Sequence, residues 1–202
     1  GAPLIGFFAD FKHKLNIDEI YFHKRTPLKH EKAKVNSLIR RGARLVVDND
    51  SKKISKFESF GHRVTKTLEQ TIDECDVIID CTPAGNDNKD LIYSEYAINT
   101  NKIFIAQGSE KGFGVPYAHG INDSILYNNP NYIQVVSCNT HNIASILKTL
   151  SPNLDNIITS DFVCIRRAND ISQECGFISC PVVDEHSDDI FGTHHARDAH
   201  DL

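Results

Sequence analysis

The sequence predicts an α/β protein built on a doubly wound parallel sheet, and three observations carry that expectation. Short β-rich runs alternate with helical segments along most of the chain. The run in "DVIIDCTPAG" is continuously apolar before it breaks into a loop, as suits a parallel strand covered on both faces. Glycine or Pro-Gly loops then follow the carboxyl ends of the strands, in "DCTPAG" and "AQGSEKG".

Taken in order, "DEIYFH" (Asp18 to His23) reads as a strand, and "KHEKAKVNSLIRRG" as a basic helix stopped at Gly42. "ARLVVD" is a second strand and "KKISKFESFG" a helix ending at Gly61. "RVTKTLEQTIDEC" is a short extended piece that enters a helix with Thr67 as N-cap. "DVIIDCTPAG" (Asp76 to Gly85) is an apolar strand breaking into a loop, and "NKDLIYSEYAI" a helix. "KIFIAQGSEKG" gives a strand and a glycine loop, and "NYIQVVSCNTHNIASILKTL" a strand, a turn and a helix. From "NIITSDFVCIRRAND" onward the alternation stops, and the tail "DEHSDDIFGTHHARDAHDL" reads as polar loop. A domain boundary is therefore expected near residue 137, dividing residues 1–136 from 137–202.

Composition excludes several classes. With 40% apolar and 24% charged residues the chain can bury a core and is not expected to be disordered. No run approaches the roughly 18 apolar residues of a membrane span, and the first residues lack the basic-then-apolar order of a signal peptide. A soluble chain with no membrane partner is expected. The net charge of -5 and the scattered Lys and Arg give no footprint for nucleic acid. The six cysteines read as reduced thiols of a cytoplasmic protein, and no C-x-x-C pair suggests a structural zinc, so no metal is expected. Because the sequence contains no methionine, it is expected to be a segment or to lack some residues.

In open α/β sheets ligands gather beyond the carboxyl ends of the strands. Here those ends are His23-Lys24-Arg25, Cys81 to Gly85, Gln107-Gly108 and Ser137-Cys138. Cys138 stands where a strand turns into a helix, and unpaired N–H groups at a helix start favour a thiolate. Asn139 and Thr140 behind it can hold an oxyanion or cap the helix. A small buried hydrophobe is the other reading of Cys138.

"VVSCNT", then "IRRAND", then "THHARD", with "DCTPAG" and "AQGSEK" upstream, resemble in order and approximate spacing the archaeal-type (type II) glyceraldehyde-3-phosphate dehydrogenases. The resemblance implies a Rossmann-like nucleotide-binding domain followed by part of an α+β catalytic domain. It implies oxidation of an aldehyde phosphate with NADP or NAD and inorganic phosphate through a cysteine thioester, in a cytoplasmic homotetramer. Cys138 corresponds to the nucleophile, with Ser137, Asn139 and Thr140 as substrate-contacting neighbours. Gly108 corresponds to a cofactor-contacting glycine, and Thr82, Pro83 and Gly85 to a loop bordering the cofactor. Arg166 and Arg167 resemble the arginine pair of the active site, Arg166 toward the cofactor and Arg167 toward the substrate. His194 and His195 match the histidine pair of the substrate region. A His-rich exposed loop or a weak metal site formed with His186 and His200 is the alternative for these histidines.

"GAPLIG" aligns with the dinucleotide fingerprint, with Pro3 at the second glycine position and Leu4 and Ile5 beginning the helix that faces the cofactor. The family's first strand would precede this turn and is expected to be missing. Beyond the strand ending at His23, Lys24 and Arg25 offer a basic site for a 2'-phosphate without an acid for a 2'-hydroxyl. His141 and Asn142 replace a small hydroxyl residue and a glycine of the family, and no residue corresponds to its general base. Another phosphate-linked aldehyde dehydrogenase, such as an aspartate-semialdehyde dehydrogenase, or a non-catalytic paralogue acting as a binding module, stays open beside the first reading.

Overall fold

The computed structural model describes residues 1–98, 100–108, 111–153, 156–165 and 188–202. The chain divides into two compact units, Gly1–Cys81 with Ser94–Lys102, and Thr82–Tyr93 with Ile103–Leu202. The expected boundary at residue 137 falls inside the second. Both units pair their strands in parallel, and helices connect the strands of the first, the α/β, Rossmann-like class that the sequence predicts.

The first unit opens with helix α1 (Ala2–Phe11), two residues ahead of the expected start at Leu4. Pro3 explains the difference, since its fixed φ suits the first turn and its missing N–H is not needed there. Strand β1 (Tyr21–His23) follows, then a 3-10 turn at Lys29–Glu31 and helix α2 (Lys32–Arg40). Gly42 ends that helix with φ +100, a conformation that a Cβ would strain. Strand β2 (Arg44–Val47) leads to helix α3 (Ser51–Ser59), where Asp50 caps the amides of Lys52 and Lys53. Strand β3 (Lys66–Thr67) runs straight into helix α4 (Leu68–Glu74). Thr67 caps that helix as expected, in a reciprocal capping box with Gln70.

The strands β1, β2 and β3 lie side by side in that order, with Phe22 opposite Leu45 and Val46 opposite Lys66. Leu45, Val46 and Val47 are all buried, because helices cover both faces of this central strand. Around them Phe22, Val35, Leu38, Ala43 and Phe57 form one core, against which Ile5 and Phe8 of α1 pack. Strand β4 (Val77–Asp80) departs from expectation: only Asp80 is buried and Val77 is 47% exposed. Within the unit its apolar side chains border an open groove with Tyr21, Leu68, Ile72 and Cys75 instead of being covered on both faces.

Helix α5 (Gly85–Asn88) and a π-helical turn at Lys89–Tyr93 belong to the second unit; helix α6 (Ser94–Ala97) returns to the first. Strand β5 (Ile103–Gln107) is followed by strand β6 (Val115–Tyr117), a 3-10 helix at Asp123–Asn128, strand β7 (Tyr132–Val135) and helix α7 (Cys138–Leu150). β7 lies between β5 and β6, with Ile105 and Val115 both opposite Ile133. Tyr93 and Tyr132 stack on Phe104 at ring distances of 4.9 and 5.2 Å, and Phe113 meets both tyrosines edge-on. At Gly114 a Cβ would stand 2.3 Å from the carbonyl of Tyr132, so glycine is what lets β6 approach β7. The tail read as loop contains helix α8 (His194–His200), capped by Thr193 through the amide of Ala196.

Candidate active site

The apolar run of β7 ends at Val135, and Ser137 turns the chain into α7 by accepting a 3.2 Å hydrogen bond from the Thr140 amide. That cap fixes the next three residues. Cys138 is the first residue of the 13-residue helix and is exposed, which sets aside the reading of a buried hydrophobe. Thr140 points inward, fully buried, with its hydroxyl 2.9 Å from that of Ser137. Of the two roles open to Thr140, its amide therefore serves the cap. Asn139 lies between, its Oδ1 4.0 Å from the Cys138 sulfur, a long contact suited to a weak S–H donor.

α8 packs against this turn and brings His195 to it. His195 Nδ1 is 3.0 Å from Ser137 Oγ and 3.5 Å from Thr140 Oγ1, while Nε2 is 3.3 Å from Asn139 Nδ2. The His194 ring is tilted against the same ring, centroid to centroid 3.9 Å. Among the described residues, two ion pairs fasten α8. Asp188 accepts from Arg197 and from the amides of Ile190 and Phe191, which together hold its carboxyl well below the usual carboxylate range. Lys111 pairs with Asp198 at 3.1 Å.

Lys111 also leads to the loop expected to border the cofactor. Asn86 donates to the Lys111 carbonyl at 2.9 Å, and Lys89 to the Gly112 and Phe113 carbonyls. The Thr82–Gly85 loop is closed by Thr82 Oγ1, which accepts from the Ala84 amide and from Asn88, so Pro83 is held in the turn and Gly85 starts α5. Gly108 sits at the end of β5 with φ +75, its amide on the Val135 carbonyl, and a Cβ there would meet nothing within 4 Å. Thr82, Pro83, Gly85, Gly108, Ser137 to Thr140 and His195 thus belong to one unit and to connected loops of it.

The other expected cofactor residues lie in the first unit. Lys24 is paired with Glu31, whose carboxyl it holds below the usual value, whereas Arg25 is exposed. An acid does stand beside the end of β1, supplied by the neighbouring strand: Asp48 is 2.7 Å from His23 Nε2 and also pairs with Lys53. Burial would raise the Asp48 carboxyl; the hydrogen bonds from Lys53 and His23 outweigh it, and the group is held low. Ile5 faces the core and Leu4 is half-buried on α1.

Over 166 residues the chain is 36% identical to the glyceraldehyde-3-phosphate dehydrogenase of Sulfolobus acidocaldarius, a match covering 79% of this chain and 45% of that protein. It is 35% identical to that of Methanothermus fervidus over 124 residues, covering 60% and 35%, and 32% identical to that of Sulfurisphaera tokodaii over 151 residues, covering 72% and 41%. By sequence the chain is a relative of the archaeal-type glyceraldehyde-3-phosphate dehydrogenases. It spans less than half the length of the curated relatives it matches. No family model matches it.

Two features of this glyceraldehyde-3-phosphate dehydrogenase relative escape sequence reasoning. Tyr117, at the end of β6, places its hydroxyl 3.0 Å from Asp123 and 3.1 Å from His119 Nδ1, and His141 donates from Nε2 to the His119 carbonyl at 3.1 Å. His141 therefore turns toward this loop. The pattern of Tyr, His and Asp in "YAHGIND", closed by a glycine with φ +76, is the only sequence signal for it. The second is the Asp48 contact, which needs the pairing of β1 with β2. Arg166 and Arg167 lie outside the described residues.

Proposed function

We propose that this chain is the part of a phosphorylating glyceraldehyde-3-phosphate dehydrogenase that carries its nucleophile, Cys138. The observation that supports this best is the exposed Cys138 at the start of α7, between Ser137 and Asn139, both of which His195 contacts. The Cys138 sulfur adds to the aldehyde carbon, and the amides of Cys138 and Asn139, which the Ser137 cap does not use, are the donors for the oxygen that becomes negative. Loss of a hydride and of the hydroxyl proton converts that adduct to a thioester. Inorganic phosphate then forms the new acyl–oxygen bond and the sulfur leaves. His194, exposed on α8 beside His195, is the described residue placed to meet a phosphate group.

NAD or NADP, when bound, supplies the nicotinamide that accepts the hydride. The residues present fit such a cofactor at two places. Gly108, at the end of β5, leaves its Cα face open for close approach. Arg25 is the exposed cation beyond β1, because Lys24 is already matched by Glu31.

The test is site-resolved alkylation. Cys138 should be carboxamidomethylated faster than Cys75 or Cys164, glyceraldehyde 3-phosphate should protect it, and Cys138→Ser should leave no substrate-protected cysteine. If Cys138 labels at the rate of Cys164 and the substrate protects nothing, a binding module becomes the better reading.

A further inference from the structure

Both ring nitrogens of His195 are engaged by the turn that carries Cys138. The side-chain nitrogen of Asn139 can only donate, so His195 Nε2, 3.3 Å away, must be its acceptor. The ring proton then sits on Nδ1 and is donated to Ser137 Oγ at 3.0 Å. With its nitrogen turned to His195, the Asn139 amide points its oxygen at the Cys138 sulfur, 4.0 Å away, where it accepts from S–H. One continuous path of donors and acceptors runs from the thiol through the amide to the imidazole.

We propose that His195 is a positioning residue whose protonation state decides which end of the Asn139 amide faces Cys138. Neutral His195 holds the amide oxygen toward the sulfur, an arrangement that suits the thiol. Protonated His195 carries N–H at both ring nitrogens and can no longer accept from Asn139, so the amide turns over, its oxygen accepts from Nε2–H, and its N–H group faces the sulfur. That orientation suits a thiolate. The proton on His195 comes from solvent and the S–H proton leaves to solvent, so no other reactant is needed. This role differs from gripping a phosphate, and it rests on the reading of Cys138 as the reacting group.

The ionisable groups on the elements around His195 belong to the same account. His194 is tilted against it; Arg197 and Asp198 of α8 are paired with Asp188 and Lys111; His200 lies beside Asp201 at the end of the helix; Cys138 and His141 stand on α7. Arg197 and Asp198 are matched by opposite charges and His141 turns to the His119 carbonyl, whereas His195 meets the amide itself.

The experiment is the pH profile of Cys138 alkylation by iodoacetamide, in which the S–C bond forms and iodide leaves, read by peptide mass spectrometry. Wild type, His195→Leu, Asn139→Leu and His194→Leu are compared. At a pH of about 6 the wild-type rate should exceed those of His195→Leu and Asn139→Leu by roughly tenfold, the effect of one charge-assisted hydrogen bond. At about pH 8.5 the three should agree within about twofold. A merely structural role would displace the variant profiles at every pH. Profiles of His195→Leu and Asn139→Leu that run parallel to wild type, or a low-pH difference that appears only in His194→Leu, overturn the proposal. The absolute rate of Cys138 against Cys75 and Cys164 separately tests whether Cys138 is the reacting group, and the shape of the profile tests the coupling.

Discussion

His62 should make the stability of the first unit depend on pH. The imidazole is 2% exposed, near the Phe57 and Phe60 rings at 6.2 and 6.4 Å, and its Nδ1 is buried without a hydrogen-bond partner. Burial first, and the charge of Lys32 second, push its pKa below the usual 6.5. Between the folded-state value and the usual one, the unfolded chain binds a proton that the folded chain refuses. Stability therefore rises with pH through that window; the contribution is complete above the unfolded value and is lost as pH falls through it. A single proton sets the limit, about 1.4 kcal/mol per pH unit. The shifted carboxylates, Asp48 among them, titrate below their ordinary values and add no slope here. Urea denaturation followed by circular dichroism, from about pH 5 to 8, measures the slope in wild type and in His62→Leu, which fills the site without a charge. The variant should lack the His62 part of the slope and be the more stable of the two at the acid end. Equal slopes, or stability rising as pH falls, would refute the reasoning.

Two further perturbations have definite outcomes. Gly114→Ala drives a Cβ against the Tyr132 backbone rather than a movable side chain, so it should cost on the order of 1–3 kcal/mol in urea denaturation; a neutral result would mean that β6 approaches β7 less closely than described. Arg25→Asp should weaken NADP binding on the order of tenfold and NAD binding far less, by isothermal titration, because a bidentate phosphate contact is removed and a repulsive charge added; equal losses would show that Arg25 does not meet the 2'-phosphate.

Most of the architecture is legible in the sequence because strand-forming runs and terminating glycines mark the same boundaries, as at Val47, Gly42 and Thr67. Two elements are not. β6 contains Pro116, which argues against a strand until β6 is seen at the edge of its sheet, where a missing N–H costs nothing. α8 has no apolar residue larger than Ala196 and Ala199, so no apolar stripe announces it; a threonine cap and the ties to Asp188, Lys111 and α7 hold it in place. The site divides in the same way. Ser137, Cys138, Asn139 and Thr140 are contiguous, and their roles as cap and exposed thiol follow from local geometry. The contacts of His195 with Ser137 and Asn139 join residues more than fifty positions apart, which no local pattern encodes.

The chain leaves the first unit at Cys81 and comes back to it at Ser94. On its return Lys102 donates to the carbonyls of Asp73 and Cys75, closing the carboxyl end of α4. The two units are consequently interleaved, and no single peptide bond separates them. A truncation after Cys81 would strip α4 of that closure and remove α6, leaving carbonyl groups for water to satisfy. During synthesis the first unit cannot be completed until residue 102 has emerged, after the first stretch of the second unit is already outside the ribosome. Closure of the first unit therefore waits until residues 82–93 have been made, and limited proteolysis within that stretch should yield fragments that remain associated until denaturant is added.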